Sequence, residues 1–294
     1  MKTVVLLGAT GMLGSAVYDV LKDRYRLVLA VRHPEKIDLI ERAYGGTGEH
    51  SVLPFDVARL YEDYAAKKGR TNEHWESLLD AAAGAEGVIN AIGVTIPFVL
   101  RDPALTFFVN GAFPHVLARA FGEKLIHITT DCVYDGQAGF PYDENALPSP
   151  VDLYGASKSL GEPAEGLTLR TSIVGRELDG RTGLLEWFLQ QEGREITGFA
   201  EHYWNGMTTH QFGLICRKIL ESPGSLPRRG VYHVFSAPVS KYEMLLAFQR
   251  RYGVNCTIRA DRAHKLNRTL ATVRDLNSRL AIPTFPEMVA ALPN

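Results

Sequence analysis

The chain has 294 residues, a net charge of −1, 46% hydrophobic residues and 22% charged residues. This is an ordinary composition for a soluble globular protein, and without a block of like charges it gives no electrostatic basis for binding nucleic acid or an anionic membrane. Three widely spaced cysteines argue against a disulfide framework, and the absence of a targeting segment or of a membrane-length apolar run predicts a cytoplasmic protein.

The chain begins with a pattern for a strand, a turn and a helix. Thr3–Leu7 is an apolar run that predicts a buried strand, and apolar residues recur with helical spacing from Leu13 to Leu21. Between them the glycines fall at Gly8, Gly11 and Gly14. A glycine-rich turn between a strand and a helix lets the backbone approach a pyrophosphate, and the helix N-terminus offers free N–H groups. The sequence therefore predicts a dinucleotide-binding loop.

The second predicted strand, Arg26–Val31, ends in Arg32. Sites that prefer NAD usually place an acidic residue near this point, whereas an arginine accommodates the 2′-phosphate of NADP. No acid sits at the end of this strand, so we predict NADP as the cofactor. A solvated loop cation remains the alternative interpretation of Arg32.

The third and fourth predicted strands, Ser51–Phe55 and Gly87–Ile92, are each followed by candidate cofactor contacts. Asp56 and Val57 are positioned to contact adenine or its ribose, although Asp56 could also cap the helix predicted at Ala58–Lys67. Another helix is predicted between Gly69 and Gly84. Small residues at the end of the fourth strand allow the backbone to run beside the cofactor riboses.

A long helix is predicted over Pro103–Phe121, and within it Asn110 could face solvent. The fifth and sixth strands are predicted at Leu125–Thr129 and Leu167–Thr171. Six strands that alternate with helices predict an α/β fold, a Rossmann doubly wound parallel sheet that binds ligands at the carboxyl ends of its strands.

Three residues around the fifth strand form a constellation that can handle a proton. Thr130 follows the strand, and Tyr154 and Lys158 lie one turn apart on a helix that begins near Asp152. A lysine cation one turn away favours the phenolate, so we expect the pKa of Tyr154 to lie below its usual value near 10. Thr130 could donate a hydrogen bond to the same substrate oxygen to which Tyr154 delivers a proton.

Beyond Ser172 the regular alternation of strands and helices stops. The predicted elements there are helices at Leu184–Gln191, Gln211–Leu220 and Ser240–Tyr252, strands at Glu195–Phe199, Gly230–Phe235 and Cys256–Arg259, a loop at Glu201–Met207 and two short terminal helices. We predict a Rossmann domain over 1–171, to which 209–236 returns, and a smaller, mostly helical substrate-binding lobe over 172–294. The substrate would lie in the cleft between them.

Several motifs carry a family resemblance. They are GATGMLG at 8–14, HITTDCVYDG at 127–136, YGASKSLGE at 154–162 and LRTSIVG at 169–175. With these motifs the chain resembles the extended, nucleotide-sugar-modifying branch of the short-chain dehydrogenase/reductase superfamily, and in particular the dTDP-4-dehydrorhamnose reductases. The resemblance is specific over the first 175 residues and loose thereafter.

The resemblance implies a role for individual residues. Thr130, Tyr154 and Lys158 match the catalytic triad. The implied cofactor contacts are Gly8, Thr10, Gly11, Met12, Leu13, Gly14, Arg32, Asp56, Val57, Ala91, Ile92, Gly93, Tyr154, Lys158 and Ile173. The implied substrate contacts are Cys132, Trp204 and Asn205. Cys132 departs from the family pattern, because reductases of this kind usually carry an aromatic residue there.

The resemblance implies an NADPH-dependent reductase that acts on a keto group of a deoxy-sugar nucleotide. An epimerase or dehydratase with retained NAD and a non-catalytic NADP-binding regulatory subunit remain as alternatives. No metal site is predicted, because the nine histidines are scattered without ligand-like company. No exposed helix face predicts a dimer interface, and a homodimer stays open.

Overall fold

A seven-stranded sheet forms the centre of the molecule in this computed structural model, which describes residues 1–46, 50–66, 72–96 and 98–292. Every neighbouring pair of its strands is parallel. From one edge to the other, the strands are Gly230–His233 (β10), Leu167–Thr171 (β6), Leu125–Thr130 (β5), Gly87–Asn90 (β4), Thr3–Leu7 (β1), Arg26–Val31 (β2) and His50–Pro54 (β3). The predicted doubly wound Rossmann sheet is confirmed.

Helices cover both faces of this sheet and bury apolar strand residues against it. The helices before residue 160 are Met12–Leu21 (α1), Ile37–Tyr44 (α2), Val57–Ala65 (α3), Glu73–Ala82 (α4), Pro103–Phe107 (α5), Phe113–Phe121 (α6) and Leu153–Ser159 (α7). The later ones are Leu184–Leu189 (α8), Thr209–Glu221 (α9), Lys241–Tyr252 (α10), Leu276–Leu280 (α11) and Phe285–Ala290 (α12). Among the described residues, no helix is long and apolar enough to span a bilayer.

The strand predictions were accurate in this sheet because each strand is a short apolar run between turn residues. The bounds of β1, β2 and β6 are those predicted, and β4 ends two residues earlier than predicted, at Asn90. The long helix predicted over Pro103–Phe121 contains a π-helical turn at Phe108–Ala112 between α5 and α6. The predicted helix end at Lys67 and the position Gly69 lie outside the described residues.

The C-terminal part contains a second sheet beside its helices. Its three strands lie in the order Val239–Ser240 (β11), Glu195–Trp204 (β8) and Thr257–Asn267 (β12), and a short pair joins Ile173–Val174 (β7) to Met207–Thr208 (β9). The loop predicted at Glu201–Met207 is therefore wrong over its first four residues, which belong to β8, and at Met207, which belongs to β9. Pairing between β8 and β12 joins residues about sixty positions apart, and such non-local pairing leaves little trace in local sequence.

Two packing features connect the end of the chain to the central sheet. Strand β10 pairs with β6 at the edge of the sheet, where Gly230 lies opposite Leu167. Helix α9 packs against α1, and their contact is close because Gly213 lies against Val20. One apolar core therefore extends from the sheet into the C-terminal helices, and it includes Phe248 and Phe285.

Candidate active site

A cleft of about 580 Å³ lies at the carboxyl ends of β1, β4 and β5. Twelve of the predicted site residues line it: Thr10, Gly11, Met12, Leu13, Ala91, Ile92, Gly93, Thr130, Cys132, Tyr154, Lys158 and Ile173. Seven others do not: Gly8, Gly14, Arg32, Asp56, Val57, Trp204 and Asn205. The structure thus brings the three predicted catalytic residues together with most of the predicted cofactor contacts.

The glycine-rich turn is shaped by two close backbone approaches. Gly8 has φ +78°, in the region that favours glycine, and a Cβ at Gly14 would lie 2.1 Å from the Gly8 carbonyl oxygen. These two glycines allow α1 to begin at Met12, directly after the turn. Residues 10–13 consequently face the cleft with the helix N-terminus behind them, an arrangement that suits a pyrophosphate.

Thr130 ends β5 and is fixed by the turn that follows it. Its Oγ1 accepts a hydrogen bond from the backbone N–H of Cys132 (3.1 Å) and donates one to Oδ1 of Asp131 (3.2 Å). Thr130 thereby caps the short 3₁₀ helix Asp131–Val133. The cap holds the hydroxyl at the end of the strand, where it faces the cleft.

Helix α7 is positioned against that same turn. Asp152 caps the helix by accepting a hydrogen bond from the N–H of Gly155 (2.7 Å), as the predicted helix start requires. A Cβ at Gly155 would lie 2.2 Å from the Cys132 carbonyl oxygen, so only glycine permits this approach. The contact brings the Tyr154 hydroxyl into hydrogen-bonding contact with the Thr130 side chain.

Lys158, one turn further along α7, is 5% exposed. Its Nζ donates a hydrogen bond to the Ile128 carbonyl oxygen of β5 (3.0 Å). A Cβ built on Gly93 would lie only 3.8 Å from this Nζ. Burial lowers the pKa of Lys158 from 10.5 to about 8, and Glu162 partly opposes that shift. The ammonium group therefore lies between β5 and the end of β4, at the floor of the cleft.

The pKa of Tyr154 is shifted upwards, whereas the sequence predicted a downward shift. Burial raises it, Cys132 and Asp131 add to the increase, and the hydrogen bond with Thr130 opposes it. Lys158 was expected to lower it, but the Lys158 Nζ is held by the Ile128 carbonyl oxygen. The protein alone therefore holds Tyr154 as a protonated phenol.

Asn110 is a positioning residue whose role the sequence left open. It is 1% exposed, and its amide exchanges hydrogen bonds with the backbone of Val94, at 2.8 Å to the N–H and 2.9 Å to the carbonyl oxygen. It also donates to Ser157 Oγ (3.0 Å). The solvent-facing interpretation was wrong, because Asn110 ties the segment after β4 to α7. The sequence feature that indicates this role is a polar residue on the apolar face of a long helix.

The predicted contacts at the adenosine end of the cofactor lie outside the cleft. Arg32 is exposed directly after β2. Asp56 caps α3 by accepting a hydrogen bond from the N–H of Ala58 (3.0 Å), which confirms the capping prediction. The contacts of Arg32, Asp56 and Val57 with a cofactor stay predictions.

A loop from the second half of the chain crosses the cofactor end of the cleft. Residues 177–180 and Thr182 line the cleft together with residues of the glycine-rich turn. Asp179 Oδ2 lies 2.5 Å from Nζ of Lys36, a residue of the turn after β2. Glu177 holds the loop by accepting hydrogen bonds from the N–H groups of Thr182 and Gly183. This crossing could not be predicted from the sequence, because it depends on contacts between distant segments.

Of the three predicted substrate contacts, only Cys132 lines the cleft. Trp204 is 4% exposed and packs edge-on against Phe285, with ring centroids 5.3 Å apart. The amide of Asn205 exchanges two hydrogen bonds with the backbone of Leu270, at 2.8 and 2.9 Å. Trp204 and Asn205 therefore lie in packing positions in this structure, and their contact with a substrate stays a prediction.

Replacing the buried ammonium should stabilise the protein. Because the pKa of Lys158 is about 8 in the folded protein and near 10.5 in the unfolded chain, burying the charge costs about 3 kcal/mol at neutral pH. Lys158→Met is therefore expected to raise the Tm of the cofactor-free protein at pH 7. The lysine at position 158 binds its proton more tightly in the unfolded chain than in the folded protein. The gain in stability of Lys158→Met should therefore be complete below pH 8 and vanish towards pH 10.5.

Thermal unfolding at several pH values measures this effect. Lys265→Met, at an exposed position in β12, is the matched control and should change Tm little at any pH. A Tm for Lys158→Met below that of the wild type at pH 7 would contradict the buried-charge cost.

Two family descriptions each match more than half of the chain. Residues 88–284 match the RmlD substrate binding domain. Residues 4–164 match the NAD dependent epimerase/dehydratase family. Together the two matches cover the glycine-rich turn and all three residues of the constellation.

Similar curated proteins include reductases and a methionine adenosyltransferase subunit. A dTDP-4-dehydrorhamnose reductase of Burkholderia thailandensis is 40% identical over 97 residues, which cover 30% of this chain and 33% of that protein. A probable low-salt glycan biosynthesis reductase of Haloferax volcanii is 30% identical over 177 residues, covering 57% of this chain and 52% of that protein. The chain thus spans about half of these two relatives or less. A methionine adenosyltransferase 2 subunit beta of Danio rerio is 28% identical over 265 residues, covering 84% and 72%.

Solved structures share the fold at low identity. A dTDP-4-dehydrorhamnose reductase from Bacillus anthracis in complex with NADP has a TM-score of 0.70 and 18% identity, with 99% of each chain covered. The Bordetella bronchiseptica enzyme WbmG in complex with NAD and UDP has a TM-score of 0.69 and 16% identity, with 98% of this chain and 91% of that chain covered. The fold, the two family matches and the motifs around the cleft agree. The chain therefore belongs to the RmlD substrate binding domain family and, through residues 4–164, to the NAD dependent epimerase/dehydratase family of extended short-chain dehydrogenases/reductases.

Proposed function

We propose that the protein is an NADPH-dependent reductase of a keto group on a deoxy-sugar nucleotide, similar in reaction to the dTDP-4-dehydrorhamnose reductases. The observation that carries this proposal is the convergence of Thr130, Tyr154 and Lys158 in one cleft with the glycine-rich turn. A phenol, an alcohol and an ammonium at the carboxyl ends of a Rossmann sheet are the groups that carbonyl reduction requires.

The cleft fits a nicotinamide dinucleotide. Glycine at positions 8 and 14 permits the tight turn, and residues 10–13 face the cleft at the N-terminus of α1. Ala91 and Gly93 leave room beside the backbone after β4, and Ile173 lines the same cleft. When bound, the reduced nicotinamide supplies a hydride to the carbonyl carbon of the substrate.

The residues of this chain would then bind and protonate the carbonyl oxygen. Thr130 and Tyr154 would hold that oxygen between two hydroxyl groups, and Tyr154 would deliver the proton that completes the alcohol. Lys158 would bind the ribose hydroxyls and set the position of the nicotinamide. The raised pKa of Tyr154 supports the reductive direction, because a proton donor has to be protonated before turnover.

Two observations support NADPH over NADH. No acidic residue sits at the end of β2 to bind the ribose hydroxyls, and Arg32 is exposed at that position. Lys36 adds a second cation in the same turn, although it pairs with Asp179. An arginine so placed can bind the 2′-phosphate through charge-assisted hydrogen bonds.

The direct test is oxidation of NADPH in the presence of dTDP-4-keto-6-deoxy-L-mannose. We expect turnover with NADPH and a lower kcat/KM with NADH. Arg32→Ala should reduce that preference by about tenfold or more, the free energy of one or two hydrogen bonds to a charged group. No oxidation of NADPH with this or other keto-sugar nucleotides would reject the proposal.

A second candidate is a non-catalytic, NADP-binding regulatory subunit. The match to the Danio rerio subunit covers 84% of this chain, whereas the two reductase matches above cover 30% and 57%. An intact constellation argues against this role, because a subunit without turnover does not need Tyr154 and Lys158 on one face. A tight stoichiometric partner together with no turnover would favour the subunit. NAD that co-purifies in stoichiometric amount would instead favour an epimerase or dehydratase.

We also propose that two parts of the chain bind different ligands. Residues 1–171, with 209–236, would bind the cofactor, since β10 pairs with β6 and α9 packs on α1. The remaining C-terminal residues would bind the nucleotide sugar.

A further inference from the structure

A second cavity, of about 410 Å³, is lined by residues of α1, α2, α9 and the segment that follows β7. None of the site residues predicted from the sequence lines it. Its wall and that of the cleft have two lining residues in common, Glu177 and Leu178. The second cavity is therefore separate from the cleft and adjoins it at one segment of the chain.

Part of the wall of the second cavity is apolar. Leu39, Tyr44, Leu178 and Leu292 line it. Tyr44 and Leu178 pack against the main core, and the hydroxyl of Tyr44 is hydrogen-bonded to the side chain of Ser15. Small-molecule sites are mostly apolar with a few placed polar groups, so these side chains can accept an apolar ring.

The wall also contains two carboxylates, and both have donors from within the protein. Asp19 pairs with Lys22, at 2.5 Å between oxygen and nitrogen. Glu177 accepts hydrogen bonds from the N–H groups of Thr182 and Gly183. These acids are thus occupied and do not neutralise the arginines of the same wall.

Two arginines supply the positive charge of the second cavity. Arg176 pairs through Nε with Oε1 of Glu186 (2.6 Å). Within the described ranges, Arg42 has no carboxylate at ion-pair distance, and its Nε donates to the Asp38 carbonyl oxygen (3.2 Å). His210 adds no charge at pH 7, because burial lowers its pKa. One guanidinium is left without a counter-charge, and guanidinium groups bind carboxylate and phosphate oxygens through charge-assisted hydrogen bonds.

One short segment connects the second cavity with the cofactor cleft. Arg176 lines the cavity, and the next two residues line both spaces. Asp179 follows them, lines the cleft and pairs with Lys36 (2.5 Å). Consecutive residues do not move independently, so a ligand that contacts Arg176 also acts on the wall of the cleft.

We infer that the second cavity binds a small organic anion with an apolar ring, and that this binding weakens binding of the dinucleotide. The anionic group would lie at Arg42 and Arg176, with the ring against the apolar wall. Both ligands need room beside Glu177 and Leu178, so each should raise the Kd of the other by the same factor. The anion could be a carboxylate or a phosphate, because both present the same chemistry to a guanidinium.

Titration calorimetry with three probes of similar shape tests the site: 2-naphthoate, 2-naphthyl phosphate and the neutral 2-naphthalenemethanol. We expect saturable binding of an anion to the wild-type protein without cofactor. Arg42→Met should weaken that binding by about tenfold or more, as for the loss of a hydrogen bond to a charged group, and leave binding of the alcohol unchanged. Binding of one anion alone identifies the group as a carboxylate or a phosphate. No saturable binding of either anion would overturn the inference.

Two further variants locate the bound probe. Ala43 is an exposed residue of α2 in the cavity wall, so Ala43→Trp should fill the cavity and abolish binding of all three probes. Arg119→Met removes an exposed arginine from α6 and should leave every Kd unchanged. Should Ala43→Trp fail to fold, Arg42→Met still decides, because Arg42 is exposed and bonds to a backbone carbonyl. An anion that binds wild type, Ala43→Trp and Arg42→Met equally would overturn the site.

The link to the cofactor is measured as the Kd for NADPH with and without a saturating concentration of the anion. We expect a rise of about fivefold or more, and NADPH should raise the Kd of the anion by the same factor. An unchanged Kd for NADPH would uphold the site and overturn the link. If the anion still weakened NADPH binding to Ala43→Trp, it would be competing inside the cleft, and the inference would fail. No keto-sugar is used, so a lack of turnover would reject the proposed function alone.

Discussion

Tyr154→Phe is expected to lower kcat for keto-sugar reduction by about 10²–10⁴-fold, the usual contribution of a positioned general acid. The substitution removes only the hydroxyl that bonds to Thr130, and it keeps the ring that packs in the cleft. Lys158 and the glycine-rich turn are untouched, so Kd for NADPH should stay within about twofold of the wild-type value. Stopped-flow reduction and fluorescence titration of NADPH measure the two quantities separately.

A tyrosine outside the cleft provides the control for this experiment. The hydroxyl of Tyr142 bonds to Asp135 (2.9 Å) and to the Ala138 carbonyl oxygen (2.7 Å), so Tyr142→Phe removes the hydroxyl of a buried tyrosine from a structural position. It should lower Tm and leave kcat near the wild-type value. A Tyr154→Phe protein with full activity would show that the proton comes from another group.

The protonation state of Tyr154 could not be predicted from the sequence. A tyrosine and a lysine one turn apart on a helix predicted a phenolate stabilised by the ammonium group. In the structure the ammonium is bound by a backbone carbonyl of β5, and burial dominates the pKa of the phenol. Sequence spacing predicted that the two side chains share a face, but burial and the third partner depend on tertiary packing.

The parts of the site that were predicted are the local ones. The turn around Gly8 and Gly14, the cap at Asp152 and the hydroxyl at the end of β5 are each encoded within a few residues. The crossing at Lys36 and Asp179 was not predicted. It joins residues from distant segments, and no local periodicity or motif records such contacts.

The same difference between local and distant contacts explains why the strands of the C-terminal part were predicted less well than those of the central sheet. Strands of the central sheet are buried on both faces, so their sequences are short apolar runs that stand out. Strand β12 is mostly exposed and carries alternating charges such as Arg259 and Asp261, which resemble a loop. Its length is set by pairing with β8, and the register shift between Asp261 and Lys265 interrupts any simple pattern.

Gly14→Ala is expected to destabilise the protein and to abolish tight cofactor binding. A Cβ at this position would lie 2.1 Å from the Gly8 carbonyl oxygen and 2.8 Å from the Cα of Ala9, far closer than atoms can approach. The start of α1 would have to move away from the turn, and such overpacking costs about 1–3 kcal/mol or more. The same movement would displace residues 10–13, which face the cleft, so Kd for NADPH should rise by about tenfold or more, as for the loss of a hydrogen bond to a charged group.

Gly84→Ala makes the same chemical change where there is room for it. A Cβ there would meet no atom within 4 Å, and Gly84 is exposed after α4. Thermal unfolding and NADPH titration of the two variants therefore separate the steric effect at the turn from a general effect of removing glycine. If Gly14→Ala matched Gly84→Ala in both Tm and Kd, the close approach of α1 to Gly8 would not be what shapes the cofactor loop. A fall in Tm with unchanged Kd would separate the packing of α1 from cofactor binding, and the pyrophosphate would then have to be held mainly by groups outside the turn.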